Sequence, residues 1–251
     1  MEKKLNGHAT SDTHVVLPGT RAEEGEHEPD EQEEEEGGGD GEGSEVEMAA
    51  PREVDPPPPI IAELAASCVR YVFQAVGVTL DFTPETLPLL DHYLAEAEKT
   101  VVAKSEDDLK AALATLPLLV HTAGAYFGEV VRRRYPSWWH IEGSDPMTYR
   151  VELETAYLAF SPMLFVYEAL AHGLAVQGDQ AVFESAQIEM DEEDQKAAAE
   201  RLAELAVTEE EYYAPSTRLE AIDVCVEAIR SRRMAEGDPA EMALTPEDYD
   251  T

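Results

Sequence analysis

Apolar residues recur along much of this chain at the three-and-four spacing of helices that bury one face. Ile61, Leu64, Ala65, Cys68, Val69, Val72, Phe73 and Val76 form the first such stripe. It predicts a helix from Ile60 to Val76, ended by Gly77. Thr83 and Pro84 fit the cap and first position of a second helix, which runs to Lys99 with Leu87, Leu90, Leu94 and Ala97 inward. Ser105 is placed to cap a third, whose first turn holds Glu106, Asp107 and Asp108, as the helix dipole favours. Pro117 is expected to kink or break it. Farther on, the glycines of Gly124-Ala125-Tyr126-Phe127-Gly128 stand four apart and leave a flat strip where another element can approach closely.

After Pro136 the period shortens. Trp138, Trp139 and Ile141 read as a strand, and Gly143-Ser144-Asp145-Pro146 is turn chemistry. Tyr149, Val151 and Leu153 alternate with Arg150 and Glu152, which predicts a strand with one buried face. Ala156 to Phe160 reads as a third strand after a tight turn at Glu154-Thr155. Ser161-Pro162 then starts a helix that ends near Gly173. Gly178-Asp179 precedes a stretch to Met190 in which periodicity does not separate helix from strand. Asp191 can cap a helix containing Ala198, Leu202 and Leu205. Thr217 and Glu220 have capping-box spacing, with Leu219, Ile222, Val226 and Ile229 inward and Asp223, Glu227 and Arg230 toward water. The pattern predicts an α+β fold, mostly α, in which residues 60–235 form one helical domain with a small antiparallel sheet of about three strands. Residues 236–251 are polar and are expected to fray.

Ahead of Ile60 there is no such pattern. The first 59 residues hold 18 Asp and Glu against 4 Lys and Arg, with few apolar residues. Such a stretch cannot bury enough apolar surface to offset the entropy of ordering it, so 1–59 is expected to be a disordered, acidic, proline-rich tail. Glu33, Glu34, Glu35 and Glu36 run into three glycines, a flexible polyanion. Pro56 to Pro59 form a stiff collar before the domain.

The remaining 192 residues are acidic too, with 36 Asp and Glu against 14 Lys and Arg. This charge disfavours nucleic acid and anionic membranes as partners and suits a basic protein. Ala111 to Gly128 carries no charge, but Thr, Gly, Pro117 and His121 dilute it, so it reads as a helix buried on all sides rather than a span. Cys68 and Cys225 sit in apolar helical patterns, as buried thiols do. Met1 to His8 hold no apolar stretch of the secretory-signal kind. A reducing cytoplasm is the expected compartment.

Candidate chemistry is sparse. His92 and Glu96 stand four apart on one predicted helix, and Glu168 and His172 on another. Di-metal bundles use Glu-x-x-His pairs instead, and neither Cys-x-x-Cys nor His-Glu-x-x-His occurs, so no metal or cofactor is expected. No Gly-x-Ser-x-Gly elbow and no phosphate-binding glycine loop is present. Trp138 and Trp139 are adjacent in a strand, so one points to the core and the other outward, where it could anchor a partner. Arg132, Arg133 and Arg134 form the one dense positive cluster, at a helix end. With Glu33 to Glu36, these five residues are the candidate partner contacts.

Asp81-Phe82-Thr83-Pro84-Glu85-Thr86-Leu87 with Leu90-Asp91, then Gly124-Ala125-Tyr126-Phe127-Gly128-Glu129-Val130, then Glu209-Glu210-Glu211-Tyr212-Tyr213 with Ser216 and Arg218, form an ordered set. The set resembles a pattern in uncharacterised bacterial proteins and covers residues 60 to 233. The resemblance implies a bacterial, soluble α+β domain and no assigned activity. The residues together lead us to expect a non-enzymatic cytoplasmic regulator or inhibitor that binds a basic protein partner through its acidic surface and tail. The alternatives are an enzyme with a site between sheet and helices, around His140, Glu129 or Arg132, and a DNA mimic or immunity protein.

Overall fold

A computed structural model describes residues 54–101, 106–171 and 187–250 of the chain. Residues 1–53, the Ser105 cap, His172, Gly173 and Gly178-Asp179 lie outside them. The fold is α+β and mostly helical, with one antiparallel sheet. Among the described residues that sheet has four strands, paired in chain order, one more than the sequence pattern predicts.

Helix α1, Pro59–Val76, begins on the proline collar, with a proline at its first position. It ends at Gly77, whose φ of +75° is the left-handed cap that glycine adopts without strain. Ile61, Ala65, Cys68 and Val72 are buried, on the side where α3 (Glu106–Arg134) packs. Phe73, part of the predicted stripe, is instead 53% exposed, so the buried stripe is narrower than the spacing suggests. Among the described residues α1 is the one helix long and apolar enough to cross a membrane.

Helix α2, Leu87–Val101, follows a 3-10 turn at Pro84–Thr86. The Thr83 side chain makes no cap bond, contrary to expectation. The hydroxyl is instead engaged with Asp81, which braces the turn before the helix: its Oδ1 accepts from the Thr83 N–H at 3.0 Å and the Thr83 hydroxyl at 2.6 Å. A carboxylate is the stronger acceptor, and these bonds hold its pKa below the usual value. Between them Phe82 adopts φ +66°, a costly conformation for a bulky residue. Stacking on Tyr126 at 4.8 Å and the bond from the Phe82 N–H to the Tyr126 hydroxyl hold it there.

Helix α3, Glu106–Arg134, runs through Pro117 without ending. Proline costs one backbone bond and crowds the preceding turn. The near-continuous burial from Val120 to Arg132, with α1 and α4 (Pro162–Ala171) packed against the helix, outweighs that cost. The strip at Gly124 and Gly128 does admit close neighbours. A Cβ at Gly124 would lie 2.8 Å from the Met163 Cα of α4, and one at Gly128 would lie 2.4 Å from the Trp139 ring.

Strands β1 (Ser137–His140), β2 (Arg150–Leu153), β3 (Leu158–Phe160) and β4 (Glu189–Met190) pair in sequence order. Trp138 faces Glu152 across the first pair, and Trp139 faces Val151. The alternation rule places Glu152 toward water, yet it is fully buried. The outer face of the sheet is therefore covered as well. Helix α4, Pro162–Ala171, is buried on nearly every side, as a helix between a sheet and other helices must be.

Helices α5 (Glu192–Leu202), α6 (Glu209–Tyr212) and α7 (Pro215–Glu236) follow. The capping box lies at Thr208 and Glu211, which start α6, and not at Thr217 and Glu220. Thr217 is buried inside α7, because the helix already begins at Pro215. Residues 237–250 do not splay into solvent as their polar composition suggests. The Met242 and Leu244 N–H groups donate to Thr155 O and Glu154 O at 3.0 and 2.9 Å, and Tyr249 is buried in a 3-10 turn, Pro246–Tyr249.

Candidate functional site

The triple-arginine cluster at the end of α3 divides. Arg132 turns inward, where its Nη1 donates to Glu129 Oε1 at 2.8 Å and its Nη2 donates to Asp55 O at 3.2 Å. Both members of this pair are buried. Trp139 is buried on the same side, and its indole Nε1 donates to the same Glu129 oxygen at 2.7 Å. Arg132 and Trp139 therefore belong to the interior and cannot form a docking face, which corrects their reading as partner contacts. Arg133 and Arg134 are exposed. Arg133 lies over the Phe82 ring at 4.2 Å, and Arg134 forms a forked pair with Asp223 at 2.7 Å.

Trp138 points to the opposite face, as adjacent strand residues must. It is half-buried, and its Nε1 donates to Glu152 Oε2 at 2.7 Å. The other Glu152 oxygen accepts from Arg150 at 3.0 Å and faces His140 Nδ1 at 3.3 Å. His140 thus lies across the sheet from Glu129 and Arg132, so the three residues of the enzyme alternative do not converge. Glu33 to Glu36 lie outside the described residues.

A second charged group, which periodicity did not single out, sits where α2, α4, α6 and α7 meet. Arg218 of α7 is 5% exposed and donates from Nη2 to Glu168 Oε2 of α4 at 2.5 Å. Its guanidinium lies 4.3 Å from the Tyr212 ring centre, 4.7 Å from Phe165 and 5.3 Å from Tyr213, an aromatic cage for a cation. Its Nε is buried without a hydrogen-bond partner among the described residues. Burial pushes the Glu168 carboxyl up to about 7, with Arg218 pulling the other way.

One turn away, Ala214 precedes α7 and has no side chain to cap it. Asp91 of α2, 125 residues distant in sequence, accepts from the Ser216 N–H at 3.2 Å in its place. Burial raises Asp91 to about 6, against that bond. Asp91, Tyr212, Tyr213, Ser216 and Arg218 all belong to the ordered set that carries the resemblance, which is the one signal in the sequence that could have grouped them. As arranged, they lock the start of α7 to α2 and α4.

His92 and Glu96 stand exposed on α2, with Glu96 bound to Lys99, while Glu168 faces Arg218. Among the described residues no group of three or more His, Cys, Asp or Glu could hold a metal ion. Cys68 and Cys225 are buried free thiols, and burial pushes both up to about 12.

Among the described residues most Lys and Arg side chains are spent on the chain's own carboxylates. Lys99, Arg132, Arg134, Arg150, Lys196, Arg218, Arg230, Arg232 and Arg233 each pair with a carboxylate. Glu142, Asp145, Glu200, Glu204 and Glu220 are exposed and have no such pair among the described residues. No family model, no curated protein and no solved structure matches this chain.

Proposed function

We propose that this protein is a non-enzymatic regulator or inhibitor of the cytoplasm that binds a basic protein partner through its carboxylate-rich surface. The observation that carries this reading is the internal use of cations. With nine Lys and Arg side chains already held by the chain's own carboxylates, the charge left for a partner is negative. The chain carries a formal net charge of −36, which speeds encounter with a basic surface and repels nucleic acid. Residues 1–53 would add local negative charge and reach.

The test is capture from the native cytosol on the full chain, followed by affinity measurement with the purified partner across ionic strength. The reading expects a stoichiometric basic protein whose affinity falls at least about tenfold between 0.05 and 0.5 M salt. Removal of residues 1–53 should weaken that salt dependence. A chain that retains no protein at low salt, or a partner whose affinity ignores salt, overturns the reading.

A further inference from the structure

The outer face of the sheet holds a socket, and the chain fills it with its own tyrosine. The Tyr249 hydroxyl accepts from the Leu158 N–H at 3.0 Å. Its single proton is directed at Leu153 O and Ala156 O, at 2.7 and 2.9 Å. The ring stacks on Tyr157 at 4.7 Å and meets Trp138 edge-on at 5.8 Å. Tyr249 is 6% exposed, so both the ring and the hydroxyl are fully used.

The rest of the segment is held lightly. Residues 245–248 and 250 are exposed, and Met242 and Leu244 are only half-buried. Two backbone bonds, to Thr155 O and Glu154 O, tie the segment to the β2–β3 turn, and an ion pair between exposed side chains, Glu241 with Arg230, ties it to α7, a kind of pair worth little. The turn that presents the tyrosine is built from its own residues. Pro246 starts it, and Asp248 Oδ2 accepts from the Thr245 N–H at 2.8 Å and the Thr245 hydroxyl at 2.9 Å. A short segment with one deeply buried aromatic anchor, a self-made turn and a few backbone bonds is how a linear peptide ligand binds a folded domain.

We infer that this socket is a peptide-binding site for a tyrosine borne on a Thr-Pro-x-Asp-Tyr turn, occupied in the free protein by residues 240–250 of the same chain. The segment is a tethered ligand, and a partner loop of the same chemistry displaces it. The site lies on backbone carbonyls and aromatic rings, so it does not depend on the acidic-surface reading above.

The test uses the full-length chain. Tyr249→Ala vacates the socket while the fold keeps its other contacts, and a fluorescein-labelled peptide of residues 240–250 is titrated in by anisotropy. The variant should bind saturably and at least about tenfold more tightly than the unmodified chain, whose tethered segment competes at high effective concentration. The same peptide with Tyr249→Ala should not bind. Hydrogen exchange on the unmodified chain gives an independent readout. The Met242 and Leu244 amides should exchange at least about a hundredfold faster than those of β2, because the segment opens without global unfolding. Equal protection of those amides and β2, or a folded variant that ignores the peptide, overturns the inference. A variant that loses its near-ultraviolet dichroism and is not restored by the peptide overturns it too.

Discussion

The Trp139 indole lies against the backbone of Gly128, so close that a Cβ there would come within 2.4 Å of ring carbon Cζ2. The contact brings the sheet onto α3 and lets Trp139 reach Glu129 with its indole nitrogen. Gly128→Ala must push the ring away and strain both contacts. We expect a loss of about 1–3 kcal/mol, the usual range for overpacking a core, read from urea unfolding. Gly124→Ala meets the Met163 backbone as well as its side chain, and backbone yields less readily, so it should cost at least as much.

Arg132 and Arg134 lie two residues apart in sequence and have opposite roles. Arg132→Ala leaves Glu129 buried without its cation, a change that costs about 3–5 kcal/mol. Arg134→Ala removes an exposed pair with Asp223 and should cost about 1 kcal/mol or less. Equal losses in thermal unfolding would contradict the division of the cluster described above.

The caged pair behaves like other buried ion pairs. Above about pH 7, where the Glu168 carboxyl is ionised, Arg218→Met strands it and should destabilise the chain by about 3–5 kcal/mol; at lower pH the carboxyl protonates and the loss shrinks. Arg218→Met combined with Glu168→Gln removes the stranded charge and should recover most of that loss. A double-mutant cycle in urea measures the difference as a coupling energy.

Stability should fall as pH rises through the weakly acidic range. Asp91 titrates near 3.8 when unfolded and at about 6 in the fold, and Glu168 near 4.5 and about 7. Between each pair of values the folded state holds more protons than the unfolded chain, so protonation favours folding there. The Tm should therefore be higher at about pH 5 than at about pH 7.5. Self-repulsion of the net negative charge acts in the same direction and His121, which burial holds below its usual value, in the opposite one, so the variants isolate the effect. Asp91→Asn and Glu168→Gln should each flatten the profile, Asp91→Asn mainly below about pH 6 and Glu168→Gln up to about pH 7.

Much of the framework was legible from periodicity. The stripe from Ile61 to Val72 is α1, Gly77 ends it, and the alternation of Val151 and Leu153 with polar residues marks β2. These features are local, since a helix or strand that buries one side repeats apolar residues at its own period. The errors came where a second surface entered. Phe73 has the right spacing but faces solvent, and Glu152 has the polar register but is buried. The candidate site was less legible still. Arg132 and Arg133 are indistinguishable as letters, yet one is interior and the other exposed.

By itself, the sequence determined the mostly helical class, the small antiparallel sheet and the acidity of the surface. Backbone propensity, hydrophobic period and charge count are properties of short windows or of sums. Only the tertiary structure decided that Asp91 caps a helix 125 residues away, that three aromatic rings enclose Arg218, and that Tyr249 fills a socket on the sheet. Each of these depends on which surfaces meet, and a buried polar group is satisfied by whatever neighbour the packing supplies, not by its position along the chain.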